Sequence, residues 1–318
     1  MTLILTVANS RGVHQSSDYQ LTHRDSGMPI SDEAGTKQVE ATFGRLHLQL
    51  AFTGIAMVGE GSAARRTVDW LSAELKALPL DYSLHNICTS LARRCAAAMR
   101  PHGRRGVLTL VLAVATVAKP FRVAVISNAR WGERPPQAKT EFNIQIYTAK
   151  KPLHLISGYR ECVPLAEKFR LKALARSVDK VPQEVSDTLA DINAIAARNS
   201  GGYVSDGCWV SSQIADGRIR RTSMRNVGGQ SGSVRQLFAG MDILEWIKAN
   251  FRATPGKEIR IEPIGGALYG PGDAVKLPPP RGRAATRRAV RIVSHFPAAV
   301  SVRARLCVNR SQSIGLHH

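Results

Sequence analysis

At 318 residues with 44% hydrophobic side chains, the chain is long enough to bury one sizeable core, or a core with an appendage, without disulfides or metals. Its five cysteines, Cys88, Cys95, Cys162, Cys208 and Cys307, are odd in number and scattered, with no CxxC pair and no zinc-ligand spacing, so they read as reduced thiols of a cytoplasmic protein. The formal charge of +20 suggests a nucleic-acid partner, but much of the excess sits in two acid-free patches without the interleaved aromatics of a base-stacking surface. One patch holds Arg93, Arg94, Arg100, Arg104 and Arg105, and the other follows Asp273. A solvated face and a disordered tail account for both, and nucleic-acid binding is kept as an alternative.

The opening Leu3 to Ala8 is rich in β-formers, and the turn signal Asn9-Ser10-Arg11-Gly12 leads into a second strand that closes a hairpin. No basic segment followed by an apolar signal core precedes it, so secretion is not expected. A second strand pair is predicted over Gly35 to Glu40 and Arg45 to Phe52, where Leu46, Leu48 and Leu50 alternate with His47, Gln49 and Ala51. Ser62 is placed to cap a helix from Ala63 to Leu78, stopped by Pro79. A second helix follows, with Leu84, Ile87, Leu91, Cys95 and Met99 at steps of three and four.

Strands are then predicted at Val107 to Val117, Phe121 to Ile126 and Phe142 to Tyr147. The apolar run Val107 to Ala118 is shorter than the roughly 20 residues of a membrane-spanning helix, so no membrane is expected. A short strand ends at Gly158, two helices cover Val163 to Leu174 and Pro182 to Arg198, and Tyr203 to Ser212 returns as a strand. Strands and consecutive helix pairs in this order imply a layered α+β fold, not the strict alternation of a doubly wound sheet.

The character changes at Asp216. Residues 1–216 are assigned to the main domain, and 217–276 to a small extension with a helix at Val234 to Asn250 and a strand at Lys257 to Pro263. Residues 277–318, opened by Pro278-Pro279-Pro280, are assigned to a basic, disordered tail.

An N-terminal nucleophile can use its own α-amine, with a reference pKa near 8, as general base. Thr2 meets this requirement if Met1 is removed, as the small second side chain favours. The order and spacing of the segments that follow resemble the proteasome β-subunit and bacterial peptidase-ring family over roughly residues 2–215. TLILTVANSRGVHQSSDYQLT is similar to the family's first strand, turn, second strand and Asp-x-x-x-Thr, here Asp18 and Thr22. ISDEAGTKQV resembles its Gly-x-Lys stretch, LQLAFTG its strand and oxyanion glycine, and HLISGYRECV its Ser-Gly at a helix start.

The resemblance implies a four-layer αββα N-terminal nucleophile (Ntn) hydrolase sandwich with a small C-terminal extension. It also implies a threonine peptidase or amidohydrolase acting on peptide or amide substrates. In that scheme Thr2 attacks, and Lys37 lowers the hydroxyl pKa by its charge while Asp18 holds the ammonium. Gly54 offers its N–H to the oxyanion, and Ser157 bonds the α-amine or its relay water. It implies a homo-oligomer, with an ATP-dependent unfoldase as a further partner, and neither cofactor nor metal.

Three departures stand beside these matches: Leu3 follows the nucleophile where a small residue is usual, Asn199 stands where many members carry Asp, and the segment before Ser200 is shortened. A scaffold that has lost activity is the alternative, since fold alone does not establish function. Gly59-Glu60-Gly61-Ser62 lacks the Lys-Ser/Thr of a phosphate loop and reads as an ordinary cap.

Overall fold

The computed structural model describes residues 2–20, 37–59, 64–116, 119–130, 137–177, 182–216, 219–228, 235–238, 241–242, 260–262, 290–292 and 302–305. By its internal contacts the chain divides into two units, Met1–Ile243 and Leu244–His318.

The first unit begins with a hairpin of β1 (Leu3–Ala8) and β2 (Gly12–Asp18). Its turn is fixed by Asn9, whose side-chain oxygen accepts from the N–H groups of Arg11 and Gly12. Next come β3 (Gln38–Phe43), β4 (Leu46–Gly54), and the two-residue strands β5 (Met57–Val58) and β6 (Arg65–Arg66). The helices α1 (Thr67–Lys76) and α2 (Leu84–Met99) follow. Then come β7 (Leu108–Thr116), β8 (Lys119–Ala129), β9 (Ala138–Thr148) and β10 (Leu153–Gly158). A second helix pair, α3 (Leu165–Arg176) and α4 (Pro182–Arg198), precedes β11 (Cys208–Asp216), β12 (Ile219–Val227), β13 (Arg235–Phe238) and β14 (Met241–Asp242).

These strands form a five-stranded sheet in the order β10-β1-β2-β11-β12 and a seven-stranded sheet in the order β14-β13-β3-β4-β7-β8-β9. The class is mixed α+β. Alternation along each strand divides the core. Leu48, Leu50 and Phe52 of β4 pack with Leu71 and Leu75 of α1 and with Ile87 and Leu91 of α2. Leu3, Leu5 and Val7 of β1 pack instead with Leu171 of α3 and Leu189 and Ile192 of α4. Between the sheets the inner faces of β1 and β2 meet those of β4 and β7: Ile4, Ala8 and Val13 lie against Ala51, Val111 and Ala113. Each fully buried Leu or Ile contributes about 1.5–3 kcal/mol relative to exposure. Breaking the 3.6-residue stripe of α4 at Leu189 therefore costs more than any single change on its solvent face.

Several expectations are corrected. The helix after β6 starts at Thr67 with Arg66 in the capping position and no side-chain cap, because Arg65–Arg66 pairs with Met57–Val58 as a strand; Ser62 lies outside the described residues. Where a helix was expected from Val234, Arg235–Phe238 is a strand running parallel to β3, with Leu237 2% exposed against the α1–α2 core. Tertiary pairing overrides the helical spacing there. The boundary expected at Asp216 falls inside the β11–β12 hairpin, which pairs continuously from Cys208↔Val227 to Asp216↔Ile219.

The second unit contains β15 (Arg260–Glu262), β16 (Val290–Ile292) and β17 (Val302–Arg305), joined as an antiparallel sheet in the order β15-β17-β16. The strand expected at Lys257 to Pro263 is thus present in its central residues. Two strands lie in the segment expected to be disordered, where short Val- and Ile-bearing runs pair with one another.

Among the described residues, no helix is long and apolar enough to cross a membrane, and no cluster of three His, Cys, Asp or Glu side chains is placed to hold a metal.

Candidate active site at the strand ends

The residues singled out from the sequence lie at the ends of strands that the two sheets bring together. Thr2 immediately precedes β1 and is 4% exposed. Its carbonyl accepts from the N–H of Tyr159, just past β10, at 2.9 Å and from the hydroxyl of Thr53 on β4 at 3.4 Å. Both sheets therefore hold the backbone of Thr2.

Gly158 makes this close approach possible. Its φ is +89°, and a Cβ there would lie 1.7 Å from the Thr2 carbonyl oxygen. Only glycine fits. Ser157, the preceding residue, is opposite Ile4 in the β1–β10 register and is buried. Its side chain shares the face of Ile4, and by alternation that of Thr2.

Asp18 ends β2 and is fully buried. Oδ1 accepts from the N–H of Leu3 at 2.8 Å and from Nζ of Lys37 at 3.1 Å. Oδ2 accepts from the N–H of Gln20 at 3.0 Å and from that of Ser205 at 3.4 Å. Three backbone amides and one ammonium thus neutralise a carboxylate that has no access to water. Lys37, one residue before β3, also donates to the carbonyl of Gln20. Burial draws the pKa of Lys37 below the ordinary lysine value, and the Asp18 carboxylate opposes that shift.

Gly54 closes β4 with φ +113°, and a Cβ there would lie 2.0 Å from the Val107 carbonyl oxygen. It is exposed while the seven residues before it in β4 are buried, which puts it at the rim of the layer that contains Thr53 and Thr2. Thr2, Asp18, Lys37, Gly54 and Ser157 therefore gather at one end of the two sheets. They are linked through Leu3, Thr53, Gly158 and Tyr159.

Comparison with known proteins finds no matching family model and no matching curated protein. Among solved structures, the chain is similar to Anbu from Hyphomicrobium sp. strain MC1, as a Gly-1 mutant, at 11% identity, covering 73% of this chain and 89% of that one, with a TM-score of 0.47. It is similar to Anbu, an ancestral beta-subunit, from Yersinia bercovieri at 12% identity, covering 72% and 88%, with the same TM-score. The Anbu helical assembly from Pseudomonas aeruginosa matches at 12% identity over 73% and 88%, again at 0.47. The assignment to the proteasome β-subunit and peptidase-ring family is corrected accordingly. No family model matches the chain, and Anbu structures at 11–12% identity and a TM-score under 0.5 do not establish membership.

Sequence reasoning missed Ser205 and Gln20. Ser205 gives its N–H to Asp18 and accepts from the N–H of Tyr19 at its hydroxyl, 2.8 Å away. Asn193 of α4 holds this turn by donating to the carbonyls of Ser205 and Asp206 at 2.9 and 3.2 Å. The turn-forming Ser205-Asp206-Gly207 before β11 was the available signal. Asn199 and Ser200 do not join the site. Ser200 Oγ accepts from the N–H of Val204 at 3.0 Å and donates to the Ala197 carbonyl at 2.8 Å, closing the turn after α4. Met1 and Thr22 lie outside the described residues.

Proposed function

We propose that the chain hydrolyses amide or peptide bonds, with Thr2 as the nucleophile once Met1 is removed and its own α-amine as general base. The observation that carries this reading is the Asp18 carboxylate, one of whose oxygens receives both the Leu3 N–H and the Lys37 ammonium. The charge of Lys37 is thereby tied to the residue adjoining Thr2, in a region closed to water. A cation in such a place favours the deprotonated hydroxyl. Lys37 and Asp18 activate Thr2, Gly54 offers its N–H to the tetrahedral oxyanion, and Ser157 bonds the α-amine. The separate packing of each sheet on its own helix pair, with a third core between the sheets, supports a four-layer αββα sandwich as the architecture.

The chain acts as a homo-oligomer in this reading, supported by Leu165 and Phe169, which lie one helical turn apart on α3 at 67% and 60% exposure. A cytoplasmic location fits Cys88, Cys95, Cys162 and Cys208, which are free and buried. A second reading, an inactive scaffold, is favoured by the near-complete burial of Thr2.

Intact mass after treatment with a hydroxyl-reactive electrophile separates the two. The hydrolase gives a chain lacking Met1 with one adduct on Thr2, and Thr2→Ala gives none. An unacetylated, Met1-free chain that takes no adduct and cleaves no member of an amide panel leaves the scaffold.

A further inference from the structure

Four glutamines from four strands point into the layer between the sheets: Gln15 on β2, Gln38 on β3, Gln49 on β4 and Gln213 on β11. Each is at most 1% exposed. The registers place them on the inner faces. Gln15 is opposite Thr6 and Ser211, Gln213 is opposite Val13, Gln49 is opposite Ala113, and Gln38 is opposite Ala51. Val13, Ala51 and Ala113 belong to the apolar cluster between the sheets, so the glutamines continue that layer towards β3 and β11.

Two of these side chains bridge the sheets: Gln15 donates to the Val111 carbonyl at 3.2 Å, and Gln38 donates to the Trp209 carbonyl at 3.2 Å. Their amide oxygens have no protein partner, nor do both ends of Gln49, both ends of Gln213, or the indole nitrogen of Trp209. Seven sealed polar atoms gathered in one layer call for partners, since about nine in ten or more buried polar groups have one, from protein or from ordered water. The unmet groups are four acceptors and three donors, a balanced set without net charge. Water satisfies such a set, because each molecule both donates and accepts.

We propose that the glutamine-lined half of this layer is a built site for internal water, holding a short chain of molecules that bridge the amides of Gln15, Gln49 and Gln213 and the indole of Trp209. The site keeps the two sheets in register by hydrogen bonds where the other half of the layer uses apolar contact.

Magnetic relaxation dispersion of solvent water oxygen on the full chain tests this against a variant carrying Gln49→Met and Gln213→Met. These changes keep the volume and remove four of the seven unmet atoms. With about three bonds per buried water, the variant loses on the order of one or two long-lived waters. Equal numbers in both proteins overturn the proposal. If the variant does not fold, a crystal structure of the wild type decides. Water oxygens within hydrogen-bond distance of the Gln49 and Gln213 amides support the proposal, and amides bonded directly to one another or to backbone overturn it.

Discussion

Two buried acid–base pairs, Asp18–Lys37 and Glu40–His47, resolve the same problem in opposite ways. Asp18 accepts from three backbone N–H groups besides the ammonium of Lys37. Glu40 meets Nε2 of His47 at 2.5 Å and accepts from the side-chain amide of Gln236 at 2.9 Å. Burial pushes the Glu40 carboxyl up to about 7, with the Gln236 hydrogen bond opposing, and pushes His47 down to about 4. Between those values the second pair holds one proton and no net charge. Asp18 is surrounded by three backbone donors and the Lys37 amine, whereas the one side-chain donor at Glu40 does not stop its carboxyl from taking up a proton.

The largest expected effect comes from removing the ammonium. Lys37→Ala abolishes adduct formation at Thr2, a loss on the order of a thousandfold or more, and combining it with Thr2→Ala is no worse than Thr2→Ala alone, because residues acting as a unit lose function non-additively. Single-turnover labelling measures the first and residual cleavage of an amide panel the second, where additive losses would separate Lys37 from Thr2. Lys37→Arg also fails, since a planar fork cannot take the place of a compact ammonium between Asp18 and the Gln20 carbonyl.

Asp18→Asn leaves Lys37 without its counter-charge and costs about 3 kcal/mol in denaturant unfolding. Glu40→Gln, which removes half of a pair already neutral at pH 6, costs less than half as much at that pH. Equal costs would erase the distinction between the pairs. Gly158→Ala costs about 2 kcal/mol through the clash with the Thr2 carbonyl and the positive φ, and it lowers labelling by displacing Thr2. Unchanged labelling would show that the position of Thr2 does not depend on this contact.

The smallest effect is on pH dependence. The folded pKa of Glu40 is raised, so its stabilising contribution is full below pH 4.5 and is lost as pH rises to about 7. His14, lowered to about 4 by burial beside Ser212, behaves like His47. Their contributions are full above pH 6.5 and are lost as pH falls to about 4. Across the shared window the two histidines outweigh the one carboxyl, so wild-type stability rises with pH. Glu40→Gln should steepen that rise, as thermal unfolding at pH 5 and pH 6.5 will measure.

Much of the layout was legible because it depends on local periodicity. The alternation of Leu46, Leu48 and Leu50 and the three-and-four spacing of Leu84, Ile87, Leu91 and Cys95 became β4 and α2. Pro182 to Arg198 became α4 with the expected ends. The extension after Asp216 was misread because the conformation of Arg235–Phe238 is set by pairing with β3, nearly 200 residues earlier, which leaves no local signature.

The candidate site divides in the same way. By itself the sequence determined which residues carry suitable chemistry, a hydroxyl at position 2, an acid at 18, an amine at 37, and which segments become the strands and helices that bear them. Only the tertiary structure decided that Ser205 and Gln20 complete the shell around Asp18, that Gly158 lets Thr2 approach within the width of a missing Cβ, and that four glutamines share one buried layer. Side-chain identity and helical or strand period are local properties of the chain. Hydrogen bonds across 187 residues and burial between two sheets exist only once distant segments have been brought together.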